Sequence, residues 1–258
     1  MKPKARSALI LVGLFAGTAA LAQTQAPAPT PEPDYTLSFN VGAVSDYRFR
    51  GISQTSFNPA LQGGIDFAHK SGFYLGTWAS NIKWIKDYVG ATDGSLEVDV
   101  YGGYKGEISK DFSFDVGAIT YQYPSNTAAD VPGFVNANTT EVYGALTYSV
   151  VTAKYSYATS NFIANSNSAG SAYVEIAANF DLGNGFTLTP HVGHQTIPNQ
   201  SVSGDYTDYA LTLAKDFGNG LSATIAAIGT NANDAFYKVG IYDNLGKGTV
   251  VIGLKYSL

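Results

Sequence analysis

From Tyr35 to the end of the chain, apolar and polar residues alternate one by one, and the 3.6-residue period of an amphipathic helix is absent. Leu37, Phe39, Val41 and Ala43 share one parity, with Ser38, Asn40 and Gly42 on the other. Leu61, Gly63, Ile65 and Phe67 face away from Gln62, Gly64 and Asp66. Leu96, Val98 and Val100 oppose Glu97, Asp99 and Tyr101, and the last strand carries Val250, Ile252, Leu254, Tyr256 and Leu258 on one side. Period 2 places successive side chains on opposite faces of a strand. A chain written this way throughout folds as sheet.

The connections alternate as strictly as the residues. Tight turns at His69–Gly72, Gly106–Asp111, Asp181–Gly185 and Asp216–Gly220 take turns with longer polar stretches, such as those ending near Gly94, Thr139, Ser171 and Gly204. About twelve strands result, each near the ~9–11 residues that cross a bilayer at a tilt. Short turns at one end and long loops at the other are the plan of a transmembrane antiparallel β-barrel, with periplasmic turns and extracellular loops. Closure also removes exposed strand edges. The segment 233–248 looks like a further strand and turn. A thirteenth strand would leave the C-terminus on the wrong side, so it reads as a structured loop or hairpin extension.

Residues 1–22 read as a signal peptide. Lys2, Lys4 and Arg6 precede an apolar run shorter than the ~20 residues a spanning helix needs, and Ala20-Leu21-Ala22 supplies a small-residue cleavage site after Ala22. Gln23–Pro33 carries four prolines at alternate positions, so residues 23–34 form an extended lead-in to a barrel domain at 35–258. Without the leader, 12 basic residues face 20 acidic ones, a net charge of −8 that argues against nucleic-acid binding. The chain has no cysteine, which excludes disulfides and thiolate metal sites. Charged residues make up 14%, below the ~25% of an average soluble domain.

Parity alone does not distinguish a barrel from a soluble sandwich. Aromatic residues at strand ends on the aliphatic parity (Tyr47, Phe49, Phe67, Tyr104, Phe112, Phe180, Phe186, Tyr256) suit interfacial girdles and favour the barrel. Arg48 and Arg50 continue the polar parity of the first strand beyond Ala43.

The expected lumen face holds Asp46, Asp66, Glu97, Asp99, Asp115, Glu141, Glu175 and Asp208 against Arg48, Arg50, Lys105, Lys154 and Lys255, with His191 on the same parity. Two readings are open: a cross-strand ion-pair network bracing the barrel, or a charged constriction selecting permeants by sign and size. The acidic excess points to weak cation preference. An enzyme would need a serine, a base and an orienting group within reach. His69 lies in a turn, and His191 and His194 fall on opposite faces of one strand, so neither a triad nor a metal pair is expected, and no cofactor is called for.

The stretches Ser45-Asp46-Tyr47-Arg48-Phe49-Arg50-Gly51-Ile52-Ser53, Gly72-Phe73-Tyr74-Leu75-Gly76-Thr77-Trp78-Ala79-Ser80-Asn81, Leu96-Glu97-Val98-Asp99-Val100-Tyr101-Gly102-Gly103-Tyr104 and Tyr121-Gln122-Tyr123-Pro124 together resemble the TorF-type porin family. The resemblance implies an exported outer-membrane barrel and brings no characterised substrate. Many outer-membrane barrels end on an aromatic residue, whereas this chain ends Tyr256-Ser257-Leu258. The expected function is therefore a porin-like channel for small hydrophilic solutes or ions. Its partners would be outer-membrane lipid, the permeants, and the periplasmic chaperone and barrel-assembly machinery; the sequence leaves the oligomeric state open. A plugged structural barrel and, further off, an outer-membrane hydrolase are the rival readings.

Overall fold

A computed structural model describes residues 33–238 and 244–258. The expected signal peptide and nearly all of the proline-rich lead-in lie outside these residues. Twelve antiparallel strands form the barrel: β1 (Tyr35–Val44), β2 (Ala60–His69), β3 (Phe73–Asn81), β4 (Leu96–Ser109), β5 (Phe112–Gln122), β6 (Thr139–Tyr148), β7 (Val151–Ala158), β8 (Ala172–Ala178, continued past a break at Asn179 by Phe180–Gly183), β9 (Phe186–Thr196), β10 (Tyr206–Gly218), β11 (Leu221–Thr230) and β12 (Thr249–Ser257). Each strand pairs with its sequence neighbours. β1 also pairs with β12 (Val41 opposite Tyr256), and the chain's last residue closes the seam, Leu258 N–H donating to Phe39 O at 2.8 Å. With the seam paired, every strand has a partner on both sides.

The alternation expected from the sequence sorts the two faces. Leu37, Val41, Leu61, Leu75, Ile176 and Ile252 are exposed on the outside, where hydrocarbon would surround them, while Glu97, Asp99, Glu141 and Asp208 are buried inside. Near the short turns, aromatic pairs ring the outer face: Tyr35 stacks on Phe67 at 5.8 Å and Phe73 meets Tyr104 edge-on at 5.0 Å.

Some boundaries move. β4 runs on to Ser109, so its turn is tighter than expected, and β7 stops at Ala158 rather than near Asn161. The segment after β11 adds no barrel strand among its described residues. It holds a short helix, α2 (Asp234–Tyr237), capped by the Asn233 side chain accepting from Ala235 N–H, and an isolated bridge between Lys238 and Asn244. A second short helix, α1 (Trp84–Asp87), sits in the loop after β3.

The largest departure follows β1. The strand ends at Val44, and the chain does not continue to Arg50 as a wall strand. It turns inward and makes a small hairpin, Arg48–Phe49 against Ile52–Ser53, with Arg50 and Gly51 at the tip. Both tip residues have positive φ, +48° and +80°. That is the signature of a two-residue type I′ turn, in which the second place suits glycine and the first strains a long side chain. A hairpin alternates as a strand does, so the parity of Arg48 and Arg50 survived while their location changed.

Candidate functional site: a plugged lumen

The hairpin occupies the loop end of the barrel and is held from its neck to its tip. At the neck, Asp46 accepts hydrogen bonds from Ser53 Oγ (2.6 Å), Thr55 Oγ1 (3.0 Å) and Arg48 Nε (2.5 Å). Arg48 spends its Nη1 on the carbonyls of Gly51, Leu245 and Lys247 and lies 5.0 Å from the Phe57 ring. Burial pulls its pKa down, and Asp46 opposes that pull. Tyr47 donates to Glu97 Oε1 on β4 at 2.8 Å and packs edge-on against Trp78.

The tip carries the strongest contact. Arg50 grips Glu141 on β6 with two parallel bonds, 3.0 and 2.6 Å, and donates to Gln195 Oε1 on β9 at 2.7 Å. Its guanidinium also lies 4.3 Å from the Tyr173 ring and 4.7 Å from Phe49. Burial is the largest single influence and works against its charge, but Glu141, Tyr121 and Tyr173 together raise the pKa above the ordinary arginine value. Bidentate arginine–carboxylate pairs combine energy with fixed geometry. Here one such pair joins the plug to a wall strand across 91 residues of sequence. Gly51 is pressed against the wall so closely that a Cβ there would fall 2.6 Å from Thr230 Cγ2 and 2.8 Å from Asp208 Cβ.

Over the hairpin, the long loops build a cap. Trp84 and Ile85 of α1, Phe162 of the β7–β8 loop, and Tyr237 and Leu245 of the segment before β12 are all buried. Tyr88 donates to Phe236 O (2.7 Å) and Tyr237 to Gly204 O (2.6 Å), tying three loops together. Burial pushes the Tyr88 hydroxyl up to about 12. Tyr47 and Phe49, expected in a lipid girdle, belong to this interior instead.

The remaining lumen candidates all lie on wall strands and point inward, whereas His194 is exposed on the opposite face of β9. Pairing of neighbouring strands places Lys105 opposite Asp115, and Lys154 opposite Glu175. Around them, Tyr74 donates to Asp115 (2.6 Å) and touches Tyr143 Oη, while Lys154 lies 4.3 Å from the Tyr143 ring. His191 stands between two carboxylates, Glu175 at 3.1 Å and Asp208 at 3.3 Å. Tyr173 donates to Asp208 at 2.8 Å by lying flat across Gly193, where a Cβ would meet its hydroxyl at 2.0 Å. Asp66 accepts from Tyr101, which folds the same way over Gly76.

The charges therefore fall into two zones. Glu97, Asp99, Glu141 and Asp208 are sealed under the plug at 1–2% exposure. Glu97 Oε2 and Asp99 Oδ1 have no hydrogen-bond partner there. Asp66, Lys105, Lys154 and Lys255 are only half-buried, and Lys255 borders a recess shared with Asn40, Gln62, Trp78, Ser222 and Thr224. Sequence reasoning set Tyr47 in a girdle and gave no role to Gln195 or Tyr173, which join plug to wall beside the Arg50–Glu141 pair. Neutral side chains gave it no charge pattern to follow.

The sequence signature described as "Bacterial protein of unknown function (Gcw_chp)" matches residues 28–258. The chain belongs to the Gcw_chp family. Among curated proteins none matches. Among solved structures, this Gcw_chp protein is similar to the KdgM porin in complex with disordered oligogalacturonate, at 8% identity and a TM-score of 0.53, covering 86% of this chain and 98% of that one. It is also similar to the NanC porin, at 12% identity and 0.53, covering 86% and 100%. At these identities the likeness is one of fold, and that fold is a porin-type barrel.

Proposed function

We propose that this Gcw_chp protein is an outer-membrane channel for small hydrophilic solutes or ions, delivered by its N-terminal signal peptide and closed at the extracellular mouth by the Arg50 hairpin. The observation that carries the reading is a sealed twelve-strand barrel with aliphatic residues outside and charged residues inside. Lumen-facing charge around a closed wall is what a channel for hydrophilic solutes presents to its permeants. The resemblance to TorF-type porins and the porin-like fold support the same assignment, and a channel rather than an enzyme is part of it.

Cation preference follows from what remains when the plug withdraws. Arg48 and Arg50 leave with it. The wall then presents Asp66, Glu97, Asp99, Asp115, Glu141, Glu175 and Asp208 against Lys105, Lys154 and Lys255. Rings of carboxylates favour cations. Single-channel recording of the purified barrel, with its reversal potential in a salt gradient, tests this. Discrete openings with a cation-selective potential, reduced by Glu97→Gln with Asp99→Asn, are expected. A folded barrel that never conducts would support the rival reading, a plugged structural barrel, which the packed loop end favours.

A further inference from the structure

Between the hairpin and the cap lies a cavity of about 60 Å³. Its walls are mainly aromatic and aliphatic, including Phe49, Trp84, Tyr88, Phe162, Phe236 and Tyr237. Most of the polar groups that reach it are engaged elsewhere. Tyr88 and Tyr237 donate to backbone carbonyls, Gln54 Nε2 donates to Ile52 O, and Asn165 Nδ2 donates to the carbonyls of Phe162 and Ile163. Trp84 differs. It is 4% exposed, it forms part of the cavity wall, and its indole N–H has no hydrogen-bond partner.

A buried donor left unmade is costly, and an apolar chamber offers water few further partners. Both facts are resolved by the same kind of occupant. We propose that the cavity binds a small, largely apolar ring molecule that carries one hydrogen-bond acceptor, with the acceptor on the Trp84 N–H. One water needs about 10–15 Å³ of such space, so the cavity suits roughly four to six heavy atoms. The aromatic walls supply flat, polarisable contact for a ring. Phe49 and Phe162 also flank Arg50, at 4.7 and 5.6 Å, so the site rests directly on the residue that latches the plug.

The chain has two tryptophans, which gives the test an internal control. Trp78 lies on β3 inside the barrel and does not border this cavity. The full mature barrel in detergent, labelled with ¹⁵N at its indoles, is titrated with cyclopentanone and with methylenecyclopentane, a near-isostere lacking the acceptor. Cyclopentanone is expected to shift the Trp84 indole resonance saturably, to leave Trp78 in place, and to bind roughly fivefold tighter than the hydrocarbon. Ile163→Phe, which fills the chamber, should abolish both responses, and Trp84→Phe should remove the ketone's advantage in competition. Equal affinity of the two probes in the wild type would overturn the acceptor assignment and leave the edge-on Tyr123 ring as the partner of the N–H. Unsaturable shifts of both tryptophans together, as from partitioning into micelles, would overturn the site. None of these readouts depends on conduction, so they stand or fall separately from the channel.

Discussion

The two ends of this barrel are built from the same strands and solve opposite problems. At the turn end, inward positions are mostly small or half-buried, and lysines stand opposite carboxylates on neighbouring strands, Lys105 by Asp115 and Lys154 by Glu175. At the loop end, the same inward parity meets a folded hairpin, and Glu97, Asp99 and Glu141 are sealed beneath it. Tyr74, Asp115 and Tyr143 brace the first end from within the wall; Arg50 and Tyr47 brace the second from the plug. A lumen-facing charge is thus defined by what opposes it. On the wall alone it meets a strand neighbour, as Lys105 meets Asp115; under the plug, Glu97 and Glu141 become fastenings.

The largest effect should come from Gly51→Ala. A Cβ would strike Thr230 and Asp208, and the φ of +80° strains any side chain. Expulsion of the hairpin by about 3 kcal/mol would raise the open-to-closed ratio on the order of a hundredfold. Open probability in planar bilayers reads this directly. Unchanged gating would mean that the hairpin is not what closes the mouth.

Arg50→Ala comes next. It leaves Glu141 without its partner, and because water can enter the space the guanidinium vacates, the cost to the plugged state falls below the range for a sealed lone charge, to about 2 kcal/mol. Arg50→Lys should fall between, because an ammonium cannot reproduce the two-pronged grip. If Lys matched Ala, charge alone would not be the residue's contribution; if it matched wild type, the bidentate geometry would be irrelevant. Frequency of openings separates the three.

Tyr74→Phe probes the other end. Losing the bonds to Asp115 and Tyr143 should cost about 1–2 kcal/mol in urea unfolding, with gating unaltered. A change in open probability would erase the distinction between the two ends. The smallest effect belongs to Lys70→Ala, whose exposed pair with Asp34 is worth under about 1 kcal/mol, and the same unfolding curve checks it.

Most of the barrel was legible in the sequence, since period 2 and the rhythm of turns are local properties. β11 spans Leu221–Thr230, where Leu221, Ala223 and Ile225 alternate with Ser222 and Thr224. The inward parity of Glu97, Asp99, Glu141, Glu175 and Asp208 could also be read directly. The plug could not, because Arg48 and Arg50 keep step with Ser38 whether the chain runs straight or doubles back. Only the Arg50-Gly51 pair between Phe49 and Ile52 signalled a turn, and arginine is a poor fit to the strained first place of that turn. Its anchors, Glu141 and Gln195, lie 91 and 145 residues away, a pairing that no local pattern encodes.

In the proposed channel, residues 46–57, which carry the hairpin, close a barrel that would otherwise conduct. The most direct test replaces that segment with a short glycine–serine turn between β1 and β2 and compares single-channel records with wild type. Brief, rare openings in the wild type and a steady, cation-selective conductance in the replacement are the predicted result. Identical records, or a folded replacement barrel that carries no current, would contradict it.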